Sequence, residues 1–246
     1  MVQFYRHLFL LSCLWLTQAP ASVAAGLTVG VETTDYAPYY FINNNQYSGE
    51  ARQLLDDFAD KNGLSFYYDA MPVPRLFLLF TRDQFDFKFP DNPQWSSGLK
   101  SGLTIYYSDP VMKITEAVMT LTDNTGPIRT VGTILGFTTP GISYQLTEGN
   151  LILVEASTME QLFRMLEAGR IDAIYFNVRV AEYASSHREE PLALKVREEY
   201  APYSYAYYLS TMRHPEVINR FNRYLRSLPP DSAFLPSAMP SNTAQQ

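Results

Sequence analysis

Leu76-Phe77-Leu78-Leu79-Phe80 precedes Phe85-Asp86-Phe87-Lys88-Phe89, and the same pattern returns as Leu162-Phe163-Arg164-Met165-Leu166 and Ile171-Asp172-Ala173-Ile174-Tyr175. The two copies align without a gap, and the second run of each copy has an aspartate at its second position. Apolar residues at i, i+1 and i+4 predict one face of a helix, and the dense apolar run that follows predicts a buried strand. Helix–turn–strand units also recur by chance in α/β proteins, but this match favours two similar α/β lobes. Two lobes of one design suggest a cleft that closes on a small molecule.

The first residues have the pattern of a secretory signal peptide. Arg6 and His7 precede a short apolar run, Leu8–Leu16, and small residues follow at 19–25. The apolar run is shorter than the about 20 residues that a membrane-spanning helix needs. We therefore expect residues 1–25 to be cleaved and the rest of the chain to be soluble in the periplasm. A lipid on Cys13, the only cysteine, is a weaker alternative, and after cleavage no disulfide could form.

The composition argues against several classes of protein. The formal net charge of −6 disfavours nucleic-acid binding and polybasic attachment to a membrane, which both need clustered Lys and Arg. The sequence has no Walker loop, GxGxxG, HExxH, GxSxG or CxxC motif, and only His187 and His214 follow the signal peptide. We therefore expect no metal site and no cofactor. The 18 tyrosines offer apolar faces with hydroxyls, which suit a core or a small-ligand cleft.

Apolar patterns elsewhere predict the remaining main elements. They indicate a first strand at Leu27–Val31, a helix from about Gly49 to Asn62, and a strand at Thr115–Leu121 that crosses into the second lobe. Ser157 is the expected N-cap of the helix in the second copy, with Glu160 at the capping-box position.

These elements give the expected division of the chain. Residues 26–115 and 203–228 are predicted to form the first lobe, and residues 116–202 the second. Residues 229–246, rich in Pro, Ser and Ala, are predicted to be a disordered tail.

Loops after strand ends are the expected ligand contacts, because ligands of open α/β sheets lie outside the carboxyl ends of the strands. Trp95 is the strongest candidate, since a tryptophan in a polar loop has little reason to serve the core. Aromatic rings would provide stacking faces, and the polar side chains would provide hydrogen bonds. The candidates in these loops are Tyr36, Tyr39, Asp91, Asn92, Trp95, Phe137, Thr138 and Asn177.

Short motifs along nearly the whole chain after the signal peptide resemble the bacterial extracellular solute-binding proteins of family 3. No single motif is specific, but their order and spacing together are. The resemblance implies a type II periplasmic binding protein fold, with a ligand cleft between two α/β lobes that are joined by two hinge crossings. The motifs are Leu27-Thr28-Val29-Gly30-Val31, Tyr36-Ala37-Pro38-Tyr39, Gly49, Phe85-Asp86, Tyr107-Ser108-Asp109-Pro110 and Leu166-Glu167-Ala168-Gly169-Arg170-Ile171-Asp172-Ala173.

The chain departs from this family where an amino-acid ligand would be held. Family members that bind amino acids typically place an arginine in the loop before the Ser-Asp-Pro segment, where it grips the ligand carboxylate in two parallel bonds. Residues 94–101 contain no arginine, and Lys100 would supply only a point charge. The family's aspartate for the ligand ammonium is replaced by neutral Asn177, whereas the stacking aromatic is retained as Tyr36. Arg75 is a further candidate for meeting an anionic group of the ligand.

The resemblance therefore implies a solute-binding protein that is not an enzyme. It would be a monomer and would deliver a small polar or aromatic-stacking molecule to an ABC permease or a membrane sensor domain, and that molecule is not expected to be a standard zwitterionic amino acid. One alternative is a periplasmic enzyme on the same fold, similar to cyclohexadienyl dehydratase, with Asp91 as the acid or base. Another is an accessory or sensor protein with a vestigial cleft, which an aromatic-filled cleft would favour and buried polar groups in the cleft would disfavour.

Overall fold

The computed structural model describes residues 26–229, which contain twelve strands and seven α-helices. The predicted signal peptide lies outside the described residues, and so does the predicted tail apart from Pro229. Within residues 26–229, no helix combines the length and the apolar character needed to cross a bilayer.

The strands have short, regular bounds. They are β1 (Leu27–Glu32), β2 (Phe41–Asn43), β3 (Gln46–Ser48), β4 (Phe66–Met71), β5 (Phe87–Asp91), β6 (Tyr106–Tyr107), β7 (Met112–Leu121), β8 (Thr130–Ile134), β9 (Ile152–Ala156), β10 (Ala173–Asn177), β11 (Leu194–Val196) and β12 (Tyr203–Thr211). The helices are α1 (Glu50–Lys61), α2 (Val73–Phe80), α3 (Ser97–Lys100), α4 (Ser143–Thr147), α5 (Met159–Glu167), α6 (Val178–Ser186) and α7 (Pro215–Ser227).

The main sheet has the same strand arrangement in both of its halves. Its order is β4-β1-β5-β12-β7-β10-β8-β9. In the first half-sheet, β1 pairs in parallel with β4 and β5, and β12 is antiparallel to β5. In the second half-sheet, β8 pairs in parallel with β9 and β10, and β7 is antiparallel to β10. The two halves are thus related by a pseudo-twofold arrangement, as the repeated pattern in the sequence predicts.

An antiparallel ladder between β7 and β12 joins the half-sheets. Its register runs from Met112 opposite Tyr207 to Glu116 opposite Tyr203. Beyond Tyr207, β12 turns to β5 of the first half-sheet, and beyond Glu116, β7 continues along β10 of the second. These strands are the two crossings between the lobes, and the predicted two-lobe α/β fold is confirmed.

The two copies of the repeated pattern make the same contacts. In the first half-sheet, a Cβ added to Gly30 would lie 2.7 Å from Leu76 of α2 and 2.7 Å from Phe85. In the second, a Cβ on Gly132 would lie 2.7 Å from the matching Leu162 of α5 and 2.6 Å from Ile171. Each helix therefore packs directly onto a glycine of the central strand, where no larger residue fits.

The two matching aspartates hold the same strands in place. Asp86 Oδ2 accepts hydrogen bonds from the amide of Thr28 at 2.7 Å and from its hydroxyl at 2.9 Å. Asp172 Oδ2 accepts the same two bonds from Thr130, both at 2.8 Å. We call each arrangement a Thr–Asp clasp. Both aspartates thus have a structural role, with Thr-Val-Gly as their common partner sequence in β1 and β8.

Local details differ from the sequence predictions in two places. The N-cap of α5 is Thr158, whose hydroxyl accepts from the Gln161 amide, so the predicted pair of Ser157 and Glu160 is wrong by one residue. Gln161 Oε1 accepts in return from the amide of Ser157, the residue before the N-cap, at 3.0 Å, so the reciprocal bond of a capping box is displaced by one residue. The loop predicted after β5 also contains the short helix α3.

Candidate functional site

A cavity of about 570 Å³ lies between the two half-sheets. Its walls come from the end of β1, the middle of β7, the first part of β12, helix α2 and the loops that follow β1, β5 and β8. This volume falls within the range of about 300–1,000 Å³ that is usual for small-molecule sites. The lining residues are Glu32, Thr34, Tyr40, Val73, Phe77, Asn92, Gln94, Trp95, Ser96, Glu116, Gly136, Phe137, Thr138, Pro140, Tyr203, Tyr205 and Tyr207.

Two buried glutamates are the charged groups in this wall. Glu32 ends β1, and its Oε2 accepts from the Tyr40 hydroxyl at 3.0 Å. Glu116 lies in the middle of β7, and its Oε1 accepts from the Tyr205 hydroxyl at 2.9 Å. Burial raises the pKa of Glu32 despite Lys88, and it raises the pKa of Glu116 despite the nearby tyrosine hydroxyls. None of the residues lining the cavity is a lysine, arginine or histidine.

Asp91 and Lys100 form a buried ion network behind the wall instead of lining the cavity. Asp91 Oδ1 accepts from Lys100 Nζ at 2.7 Å and from Lys88 Nζ at 3.3 Å, and its Oδ2 accepts from the Ser210 hydroxyl at 2.7 Å. Lys100 also donates to the carbonyl of Asn92 at 2.8 Å. Burial lowers the pKa of Lys100, and Asp91 partly offsets that effect. The ammonium of Lys100 is thus committed to the protein's own acceptors.

An aromatic cluster joins the two half-sheets at the edge of the cavity. Tyr36 is 1% exposed, and its ring stacks on Tyr40 of its own half and on Phe137 of the other, with ring centroids 5.4 and 6.2 Å apart. The ring centroids of Phe176 and Tyr207 lie 5.6 and 6.4 Å from the centroid of the Tyr36 ring. Tyr36 therefore serves as part of a core between the lobes, and its faces are covered by other rings.

A second, more open cavity of about 400 Å³ lies on the other side of this cluster, next to Tyr39 and Asn177. Asn177 ends β10, and its Oδ1 caps α6 by accepting from the Val180 amide at 2.9 Å, whereas its buried Nδ2 has no partner. Arg179 lies over the ring of Tyr39 and forms two hydrogen bonds to Glu50, at 2.7 and 2.5 Å. This ion pair is a direct polar contact between the halves.

The structure brings most of the sequence candidates to the region between the half-sheets. Asn92, Trp95, Phe137 and Thr138 line the larger cavity, and Tyr39 and Asn177 line the smaller. Arg75 is exposed on α2 and lines neither cavity.

Glu32, Glu116, Tyr205 and Tyr207 are among the residues of the larger cavity that sequence reasoning missed. Glu116 carried a usable signal, since it is a lone carboxylate in the apolar run of a strand predicted to cross between the lobes. The tyrosines alternate along β12, which indicates a shared face of the strand.

The fold is shared with solved solute-binding domains. Substrate-binding domain 2 of GlnP from Lactococcus lactis, in an open conformation, matches with a TM-score of 0.60 and 16% identity over 81% of this chain and 88% of that chain. An ancestral arginine-binding protein bound to arginine matches with a TM-score of 0.62 and 17% identity over 85% and 94% of the two chains. The VFT2 domain of Bordetella pertussis BvgS, a double mutant, matches with a TM-score of 0.62 and 19% identity over 84% and 89%.

No protein-family model matches the sequence, and no curated protein matches it significantly. The similarity to these domains is therefore one of fold, at identities of 16–19%. The chain has the two-lobe α/β fold of the solute-binding domains of family 3.

Proposed function

We propose that the protein is a periplasmic solute-binding protein that captures a small molecule in the larger cavity. The observation that carries this proposal is a cavity with walls from both half-sheets and with polar side chains buried in those walls. Residues 26–115 with 203–228 form the first lobe and residues 116–202 the second, so a solute in this cavity contacts both lobes. Hinge closure over the solute would bury it.

The proposed solute is not a standard zwitterionic amino acid. Its carboxylate would face a wall without a lysine, arginine or histidine, next to Glu32 and Glu116. Lys100 is tied to Asp91, and Arg75 lies elsewhere. An uncompensated buried charge costs several kcal/mol, which is enough to turn a micromolar ligand into a negligible one.

The role is binding without catalysis, and the receiver of the solute is an ABC permease or a membrane sensor domain. The substrate-binding domain of GlnP among the structural neighbours supports the binding role. As an acid or base, Asp91 would have to reach the solute, but its oxygens accept from two lysines, the Asn92 amide and Ser210. This arrangement gives the enzyme alternative no support.

A vestigial cleft is the second candidate, and the Tyr36 cluster favours it because aromatic rings fill part of the space between the lobes. The buried glutamates in the remaining cavity favour a working site. A thermal-shift screen over amines, carboxylates, alcohols, amino acids and short peptides separates the two. A solute at 100 times its dissociation constant stabilises the folded chain by about 2.7 kcal/mol.

The screen is repeated with Trp95→Ala, which removes a ring from the cavity wall, and with Tyr144→Ala, which removes an exposed ring elsewhere. We expect the stabilisation by any active solute to fall with Trp95→Ala and to persist with Tyr144→Ala. A chain that no solute stabilises supports the vestigial cleft.

A further inference from the structure

Glu116 is a buried carboxylate with one oxygen left without a partner. The residue is 6% exposed, Oε1 accepts from Tyr205, and Oε2 is buried without a hydrogen bond. The Tyr175 hydroxyl accepts from the Gly141 amide, and it lies near enough to lower the pKa of the Glu116 carboxyl. It still does not donate a hydrogen bond to Oε2. A buried acceptor without a donor is costly, so such a group calls for a ligand or another explanation.

The other buried charges of this region compensate one another. Lys100 pairs with Asp91, and Lys88 lies between Asp91 and Glu32, where its charge favours the ionised form of Glu32. Glu116 has no such companion, because within residues 26–229 its carboxylate forms no ion pair and its one hydrogen bond comes from Tyr205. Glu116 thus lines the cavity as a carboxylate without a cationic partner. Because Oε2 itself is covered, a cation in the cavity would be held by the charge of the carboxylate and not by a direct bond to Oε2.

Three aromatic rings line the same cavity as this carboxylate, and one of them, Tyr205, is hydrogen-bonded to it. Trp95 meets Tyr205 and Tyr207 with centroids 6.0 and 5.4 Å apart and interplanar angles of 70° and 71°. The ring centroids of Tyr205 and Tyr207 are 5.8 Å apart, and the planes of the two rings meet at 61°. Rings set at steep angles to one another form the walls of aromatic cages, which attract cations through their negative faces. Tyr205 links the cage to Glu116 through its hydroxyl.

We infer that the cavity binds an organic cation, an ammonium or guanidinium group on an apolar or aromatic body, with Glu116 as its counter-ion and Trp95, Tyr205 and Tyr207 as its cage. This inference rests on the proposed function and names the class of solute. The site lies at the crossing of the lobes, because Glu116 pairs across the sheet with Tyr203 on one side and with Asn177 on the other. A cation held at Glu116 thus lies against the strands that join the lobes.

Three probes of one size and different charge test the inference by calorimetry on the purified protein: benzylamine, benzyl alcohol and benzoate. We expect saturable binding of benzylamine and at least tenfold weaker binding of the alcohol and the acid. Glu116→Gln keeps the size of the side chain and its bond to Tyr205 but removes the charge, so it should weaken benzylamine binding at least tenfold. Glu198→Gln, at an exposed position, makes the same change of charge and should bind benzylamine as the parent does.

A second variant keeps the test decisive if Glu116→Gln does not fold. Trp95→Leu retains an apolar wall but removes a cage face, and it should weaken benzylamine binding about tenfold. Benzyl alcohol binding as tightly as benzylamine, benzylamine binding to Glu116→Gln within twofold of the parent, or no binding of benzylamine would overturn the inference. A neutral or anionic solute that binds at least as tightly as benzylamine, and that Trp95→Ala weakens, would overturn the cation site but leave the proposed function standing.

Discussion

Asp91 is a buried carboxylate that holds the ends of two lysine side chains, and it shows how one residue can fix a whole loop. Lys100 comes from α3 and Lys88 from β5, so the network ties the loop after β5 to its own strand. Desolvating these charges is expensive, and the pairing offsets that cost only while every partner is present. The network therefore acts on stability and on the placement of Trp95, which lies in the same loop.

Replacing Lys100 by methionine should lower the free energy of unfolding by about 3 kcal/mol, because it leaves Asp91 with less compensation in the interior. Lys61→Met removes a lysine whose ion pair with Asp57 is exposed, and it should cost less than about 1 kcal/mol. Urea unfolding of both variants measures the difference. The folded Lys100→Met protein should bind solute better than Trp95→Ala does, and the opposite ranking would place Lys100 in the site.

Among the elements, the clearest feature is that two separate βα units use one design. The matching residues of the repeated pattern are buried in both copies, and both copies end in a Thr–Asp clasp. This part of the fold could be predicted from the sequence because the spacing of apolar residues indicates which face of a helix or strand is buried. Helix α6 was not predicted. It begins where the Asn177 side chain caps it, and Asn177 is in place to do so only because it also ends strand β10.

The close contact of helix and strand gives a matched pair of variants. Gly30→Ala and Gly132→Ala each place a methyl group within 2.7 Å of two buried side chains, and each should lower the free energy of unfolding by about 1–3 kcal/mol. Gly98→Ala adds a methyl group to open space and should be close to neutral. Denaturant unfolding of the three variants is the measurement. Equal stability of all three would show that the helices do not pack on the strands as described.

The clasps also predict a dependence of stability on pH. Burial raises the pKa of Asp172, but hydrogen bonds from the Thr130 and Arg129 amides and the Thr130 hydroxyl outweigh it, so its pKa lies below the ordinary value. Burial also raises the pKa of Asp86, but the Thr28 amide and hydroxyl, His214 and Arg213 together lower it below the ordinary value. An unfolded aspartate has a pKa of about 3.9, so each clasp stabilises the fold above that pH and loses its contribution as the pH falls through the lowered folded value.

Asp172→Asn should therefore flatten the loss of stability on acidification below about pH 4. Asp86→Asn should act in the same direction. Unfolding free energies measured along a pH series check both variants, and a slope identical to that of the parent would contradict the role given to the clasps.

In the whole molecule, contacts between the lobes come from residues far apart in sequence. Glu50 pairs with Arg179, which lines the smaller cavity, and Tyr36 stacks on Phe137, which lines the larger one. The sequence predicted that Tyr36, Tyr39 and Phe137 lie at the cleft, but their burial against each other depends on how the lobes meet. For the same reason Glu116 was not recognised, because its missing partner is visible only once β7, β10 and β12 are side by side.

Trp95 can report whether a solute binds in the cavity between the half-sheets. From Gly26 onward, Trp95 is the only tryptophan, and it lines this cavity. We predict that a stabilising solute changes the fluorescence of Trp95 saturably in the chain that begins at Gly26, with the same dissociation constant as calorimetry gives. A solute that binds by calorimetry without changing the emission of Trp95 would place the binding site elsewhere and contradict the account.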